Sequence, residues 1–255
     1  MPAGLPSGFL ASAGPHVFAH RGLAVGAPEN TLAAFRDALS AGATHLETDV
    51  QVSVDGIAVI SHDADLVRLA GSPGRISALT LSELQRIELG AGQSFASLGE
   101  ALSAFPAARF NIDVKSDAAA EPTARAVLAA GATDRVLITS FNEVRRRRAV
   151  SLLPGVATSA SAPVVLRAVL AAGSGLDWPA RRVLRGFAAV QVPERAGNIR
   201  IVTARFVRAM HAQGVAVHVW TVNEPDAMRR LLDLGIDGIV TDRCDLAVAV
   251  IAERV

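Results

Sequence analysis

Two histidines and three carboxylates are the residues of this chain whose types and spacing point most directly to chemistry: His20, His62, Glu47, Asp49 and Asp113. His20 closes the apolar run Val17-Phe18-Ala19, and His62 closes the strand-like run 56–61 just before Asp63. Each therefore stands where an apolar run opens into a polar loop. With ordinary pKa values near ~6.5, two such imidazoles can act as base and acid near neutral pH. The plainer reading of a lone histidine, a satisfied side chain near the rim of a fold, loses ground when two occupy matching positions.

Glu47 and Asp49 are two residues apart in a β-rich run, so the strand period puts both carboxylates on one face. Asp113 and Lys115 repeat that spacing on a later run. Carboxylates gathered without His or Cys ligands form a hard oxygen site, which suits Mg²⁺ or Ca²⁺ better than zinc. A cation would also relieve the mutual repulsion that otherwise raises their pKa values. The alternative is a set of separate salt bridges with Arg or Lys.

These side chains need elements to hold them. Short β-rich runs at 16–20, 44–50, 109–114, 136–139, 156–159, 188–192, 216–220 and 238–241 alternate with helical stretches at 31–41, 121–130, 142–152, 204–213 and 225–234. Gly42, Gly131, Gly214 and Gly235 supply stop signals after four of the helices. Eight strands in such alternation predict an α/β fold of the TIM type, a (β/α)8 barrel, for which 255 residues is a fitting length. An open doubly wound sheet would carry a Gly-rich phosphate loop after its first strand, and none is present. The barrel places its active site at the carboxyl ends of the strands, where His20, Glu47, Asp49, Asp113 and the segment Trp220-Thr221-Val222-Asn223 fall.

Residues 1–15 are expected to form an N-terminal tail and residues 16–255 a single domain. A small insertion after the second βα region, about 63–95, should carry a short helix over 80–86. Trp220 is a core residue by default, but at a strand end it could wall a site and pack on a substrate headgroup, as could Phe141; Gln191 is a further candidate substrate contact. His16, His45, His211 and His218 have weaker claims, and His218 is expected lower in the barrel core. The run 145–148 of four arginines reads as a solvated helix face rather than a nucleic-acid patch. Arg181, Arg182 and Arg185 could face anionic lipid, although no long amphipathic helix adjoins them.

Composition narrows the classes further. Hydrophobic residues make up 51% of the chain and charged ones 19%, a balance that supports a packed globular core. Twenty-five basic against 24 acidic residues give a formal charge of +1, so no general attraction to nucleic acid is expected. Mean hydropathy is +0.35. No charge-free apolar run is nevertheless long enough for a membrane span. The single cysteine, Cys244, excludes an intrachain disulfide and favours a cytoplasmic location.

Taken in order, His20-Arg21-Gly22, Pro28-Glu29-Asn30-Thr31, Glu47-x-Asp49, Asp55-Gly56 and His62-Asp63 resemble the glycerophosphodiester phosphodiesterase family. The resemblance continues through Leu79-Thr80, Glu83-Leu84, Asn111-Ile112-Asp113-Val114-Lys115, Ser140-Phe141, Trp220-Thr221-Val222-Asn223 and Asp237-Gly238-Ile239-Val240-Thr241-Asp242. It implies a βα barrel that uses a divalent metal to hydrolyse a small-molecule glycerophosphodiester to glycerol 3-phosphate and an alcohol. By position it also implies His20 and His62 as the catalytic pair, Glu47, Asp49 and Asp113 as metal ligands, and Arg21 and Lys115 as cations facing the phosphate. Many members carry Glu where this chain has Asp113; the related sphingomyelinase D toxins are similar to it in having Asp there, but they are disulfide-bonded. Three alternatives stay open beside hydrolysis. They are a lyase that forms a cyclic phosphate through the neighbouring glycerol hydroxyl, phospholipase D-like action on lysophospholipids, and a noncatalytic phosphate-ester binding protein. A metal barrel of the amidohydrolase kind would use paired histidines, and no His-x-His occurs.

Overall fold

In the computed structural model, which describes residues 8–11, 14–174 and 182–254, the β-rich runs become eleven strands. The first six are β1 (His16–His20), β2 (His45–Val52), β3 (Ala58–Ile60), β4 (Arg109–Val114), β5 (Val136–Thr139) and β6 (Ala157–Ala160). The others are β7 (Ala189–Pro193), β8 (Arg195–Ala196), β9 (Ile199–Arg200), β10 (Ala216–Trp220) and β11 (Gly238–Thr241). Strands β1, β2, β4, β5, β6, β7, β10 and β11 pair in parallel, and the β1–β2 pairing closes the ring. This is the (β/α)8 barrel that the alternation predicts. Strand β3 runs antiparallel to β2 and returns the chain beside it, so the run before His62 is a flanking strand outside the ring.

The α-helices of the described residues begin with α1 (Leu32–Ser40), α2 (Val67–Ala70), α3 (Leu81–Leu84), α4 (Leu98–Ala104) and α5 (Ala120–Ala129). They continue with α6 (Glu143–Ser151), α7 (Ala162–Ser174), α8 (Ala204–His211), α9 (Pro225–Asp233) and α10 (Cys244–Ala252). Local chemistry fixes their starts. The Thr31 hydroxyl accepts from the Ala34 amide at α1, and Thr80 with Glu83 and Ser97 with Glu100 form capping boxes at α3 and α4. Leu66, Ile76, Leu84 and Phe95 of the insertion make a small core together with Val59 of β3.

Alternation along the strands separates two cores. Val17, Ala19 and Leu46 pack outward among the helices, while Phe18, Leu137, Ala189 and Val240 belong to an inner cluster. The inner cluster includes Phe9, which is fully buried, and the Phe9 carbonyl accepts a 2.7 Å hydrogen bond from the His45 ring. The expected tail therefore does not hold as a loose segment at residues 8–11: burial of an aromatic ring fastens it to the barrel floor. Residues 1–7, 12 and 13 lie outside the described residues, as does Arg181. The solvated face expected for 145–148 also needs correction, because Arg146 is buried against Glu143. Among the described residues no helix is long and apolar enough to cross a membrane.

Candidate active site

His20 ends β1 with its Nδ1 2.6 Å from Asp242 Oδ1. Asn223 donates to the other Asp242 oxygen at 2.7 Å, and its own carbonyl oxygen accepts from Thr241 Oγ1 and the Asp242 amide. The segment after β10 thereby positions the carboxylate that orients the histidine at the end of β1. Burial works to lower the His20 pKa, but the hydrogen bond to Asp242 and the charge of Glu47 raise it above the ordinary value overall.

The carboxylates meet by register. His20 is level with Glu47 across β1 and β2, and Asp49 is level with Asp113 across β2 and β4. All three acids are buried, Glu47 at 6%, Asp49 at 2% and Asp113 at 5% exposure. Their charges therefore require compensation from within the protein. Lys115 Nζ lies 2.8 Å from Asp49 Oδ1 and 2.7 Å from Asp113 Oδ2, and Arg21 Nε lies 3.1 Å from Asp49 Oδ2. Although burial works to raise it, these two cations hold the Asp49 pKa below the ordinary carboxylate value. Glu47 accepts from the Arg21 amide at 3.1 Å. Burial and the charge of Asp49 push its pKa up to about 8. Burial likewise raises that of Asp113, whose Oδ1 has no hydrogen-bond partner among the described residues.

His62 follows β3 at the same level, since the Ser61 amide bonds to the Asp49 carbonyl at 3.0 Å. Its Nδ1 is 2.7 Å from Asp63 Oδ1. A chain of charges leads on from there: Asp63 to Arg68 at 2.6 Å, Arg68 to Glu29 at 2.6 Å, and Glu29 to Arg21 at 2.9 Å. Both histidines are thus backed by their own carboxylate, and they flank the Glu47/Asp49 pair from β1 and from the segment after β3.

The loop that carries Arg21 is held in an uncommon conformation. Arg21 and Asn30 have φ of 58° and 57°, in the region that non-glycine residues rarely adopt. The Asn30 amide bonds to the Arg21 carbonyl at 2.8 Å. Asn30 is buried, donates to Asp49 Oδ2 at 3.1 Å and accepts from Thr48 Oγ1 at 2.8 Å.

The remaining expectations divide by position. Trp220 and Phe141 meet at the mouth with ring centroids 5.7 Å apart, and Lys115 Nζ is 5.9 Å from the Phe141 centroid. A cavity of about 340 Å³ opens beside Trp220 and Asn223. Gln191 sits deeper, within 3.4 Å of Asn111, Ser159 and His218. His16, His45 and His218 are buried at the barrel floor, away from the mouth, and His211 on α8 pairs with Asp237 at 2.7 Å. Asp242, Asn223, Glu29 and Arg68 receive no role from sequence reasoning. For Asp242 a signal exists, an acid directly after the last barrel strand; for Arg68 there is none, because only the folded insertion brings it to Glu29.

Whether these residues fit a metal is decided by their donors. Among the described residues no three acidic, histidine or cysteine side chains form a ready coordination set, and Lys115 stands between Asp49 and Asp113. The donor chemistry nevertheless fits a hard divalent cation. Three buried carboxylates, one with a bare oxygen and two with their pKa values driven up, are short of positive charge. A metal binding all three would share Asp49 and Asp113 with Lys115.

A parallel barrel that gathers histidines and buried acids on the carboxyl-terminal side of its strands has the layout of a barrel enzyme. The chain belongs to the glycerophosphoryl diester phosphodiesterase family, whose model matches residues 20–246, and its class of activity is that of a glycerophosphodiester phosphodiesterase. It is 42% identical over 248 residues, covering 96% of this chain and 94% of its relative, to the "Probable glycerophosphodiester phosphodiesterase 2" of Mycobacterium tuberculosis. A glycerophosphodiester phosphodiesterase of Thermotoga maritima superposes with a TM-score of 0.73 at 27% identity, covering 93% of this chain and 99% of that one. An Oleispira antarctica phosphodiesterase, solved in complex with the product sn-glycerol-3-phosphate, superposes with a TM-score of 0.79 at 24% identity, covering 95% of this chain and 99% of that one.

Proposed function

We propose that the chain hydrolyses glycerophosphodiesters to glycerol 3-phosphate and an alcohol in a metal-dependent reaction, with His20 and His62 as the acid/base pair. The observation that carries this reading is the pairing of each histidine with its own carboxylate, Asp242 and Asp63, on either side of the Glu47/Asp49 pair. Such a carboxylate fixes the ring orientation and leaves Nε2 for the substrate. One imidazole withdraws a proton from the attacking oxygen and the other protonates the departing alkoxide, so the site returns to its starting proton inventory.

Glu47, Asp49 and Asp113 would hold the metal, Mg²⁺ or Ca²⁺, whose chemistry is to stabilise the charge that builds on the phosphoryl oxygens. Arg21 and Lys115 serve the same charge from the protein, as positioned donors in a partly buried site. Trp220 and Phe141 wall the mouth where the alcohol portion leaves, and Gln191 closes the polar base beneath the site. We place the protein in the cytoplasm, a reading supported by a single cysteine that is fully buried.

The test is turnover of glycerophosphocholine by His20→Ala and His62→Ala. Each is expected to lower kcat by about 10²–10⁴ while the fold persists by circular dichroism. Near-normal turnover in either variant would remove that histidine from the pair.

A further inference from the structure

Five arginines from three segments of the chain line one cavity of about 390 Å³ on the outside of the barrel. Arg146 and Arg147 come from α6, Arg167 from α7, and Arg182 and Arg185 from the segment that enters β7. The cavity shares no lining residue with the mouth around Trp220. Its size falls in the range of small-ligand sites, about 300–1,000 Å³.

Glu143 is the carboxylate that lines this cavity, and it is already fully engaged. Arg146 grips it through Nε at 2.8 Å and Nη2 at 2.9 Å, Arg147 Nε lies at 2.6 Å, and the Ser161 hydroxyl donates at 2.7 Å. Those contacts hold the Glu143 pKa down to about 2. Arg146 is a built element of the wall: it is buried, donates to Thr158 Oγ1 at 3.1 Å and stacks 4.6 Å from the Phe187 centroid. Among the described residues no carboxylate pairs with Arg167, Arg182 or Arg185, and all three are exposed. Like charges drawn to one concavity repel unless an anion joins them, and planar guanidiniums match phosphate oxygens in pairs.

We propose that this cavity is a second anion site, separate from the catalytic mouth, which takes a phosphate group. The phosphate could belong to a free small molecule or to a lipid headgroup. In the second case Leu166 and Leu170, exposed at 61% and 66% one turn apart on α7, stand beside Arg167 to meet the acyl region.

The experiment titrates the full ¹⁵N-labelled chain with inorganic pyrophosphate at low salt and follows the backbone amides of Val164, Val183 and Phe187. The Arg167→Glu/Arg185→Glu double variant is carried in parallel, with retained diester hydrolysis as the check of its fold. A second arm sediments both proteins with phosphatidylglycerol or phosphatidylcholine vesicles. Saturable shifts at the three amides, weakened at least tenfold in the double variant, support the site with a free phosphate as its source. Selective sedimentation with phosphatidylglycerol, lost in the double variant, supports it with a lipid phosphate. No response in either arm, or a response that survives unchanged in the double variant, overturns the proposal.

Discussion

His20 is set by opposed influences: burial disfavours its charged form, while Asp242 and Glu47 favour it, and the raised pKa records that the second effect wins. Because the folded value lies above the unfolded one, protonation of His20 stabilises the fold fully at low pH, and that contribution is lost as pH rises through the folded pKa. Asp242→Asn keeps the shape of the contact but removes its charge. The limb of the kcat/KM pH profile that reports His20 is expected to move to lower pH, with a loss of about tenfold or more in rate. A profile that superimposes on wild type would exclude Asp242 as the positioning residue. Glu47 shows the same logic from the acid side, since its pKa of about 8 marks a buried carboxylate whose neighbour Asp49 claims both nearby cations.

At the scale of elements, the loop from β1 to α1 brings Arg21 and Asn30 to Asp49. Gly22 has φ of 87°, and a Cβ there would fall 2.7 Å from the Ala34 carbonyl carbon and Cβ. Gly22→Ala combines left-handed strain with a backbone clash, so a loss of about 2–5 kcal/mol is expected in urea denaturation, with activity falling as Arg21 shifts. Stability within about 0.5 kcal/mol of wild type would contradict that account of the loop.

Much of this architecture is legible in the sequence. All eight barrel strands are visible because each is a short β-rich run bounded by turn residues. The ends of β1 and β4 locate His20 and Asp113, whereas β2 runs past Asp49 to Val52, so Glu47 and Asp49 reach the site by register with their neighbours. Helices α4, α7 and α10 carry weaker signals. Helix α4 is short, and the Ala/Val/Leu sequences of α7 and α10 show little polar alternation to mark a helical face. The Asp49–Lys115–Asp113 bridge is legible only in outline, as the salt-bridge alternative to a metal, since which cation reaches which acid depends on side-chain packing across β2 and β4. Phe9 is hidden for a similar reason, because no local pattern marks a single aromatic ring that plugs a distant barrel floor.

Across the whole molecule, the floor of the barrel is a buried aromatic layer. Phe18 lies with ring centroids 4.5 Å from both His45 and His218, and Phe9 lies 4.7 Å from His45. Burial lowers the His45 pKa to about 3 and places that of His218 well below its ordinary value, the neighbouring histidines adding to both shifts. Below the unfolded value of ~6.5 the unfolded chain therefore binds protons that the folded floor refuses, and stability is lost as pH falls. Glu47, with its raised pKa, acts in the opposite direction, so the contribution of one histidine is best isolated by difference. Chemical denaturation between about pH 6.5 and pH 5 should show His218→Asn with a shallower fall in stability than wild type, by up to about 1.4 kcal/mol per pH unit. Parallel curves would mean that His218 accepts a proton within the fold.

The central claim, metal-dependent hydrolysis of a glycerophosphodiester at the β1, β2 and β4 strand ends, is tested most directly by glycerol 3-phosphate release from glycerophosphocholine. The measurement compares untreated protein, protein stripped with chelator, and stripped protein resupplied with Mg²⁺ or Ca²⁺. Release is expected to vanish on stripping and to return with the added cation, whereas full turnover by the stripped protein would contradict the account.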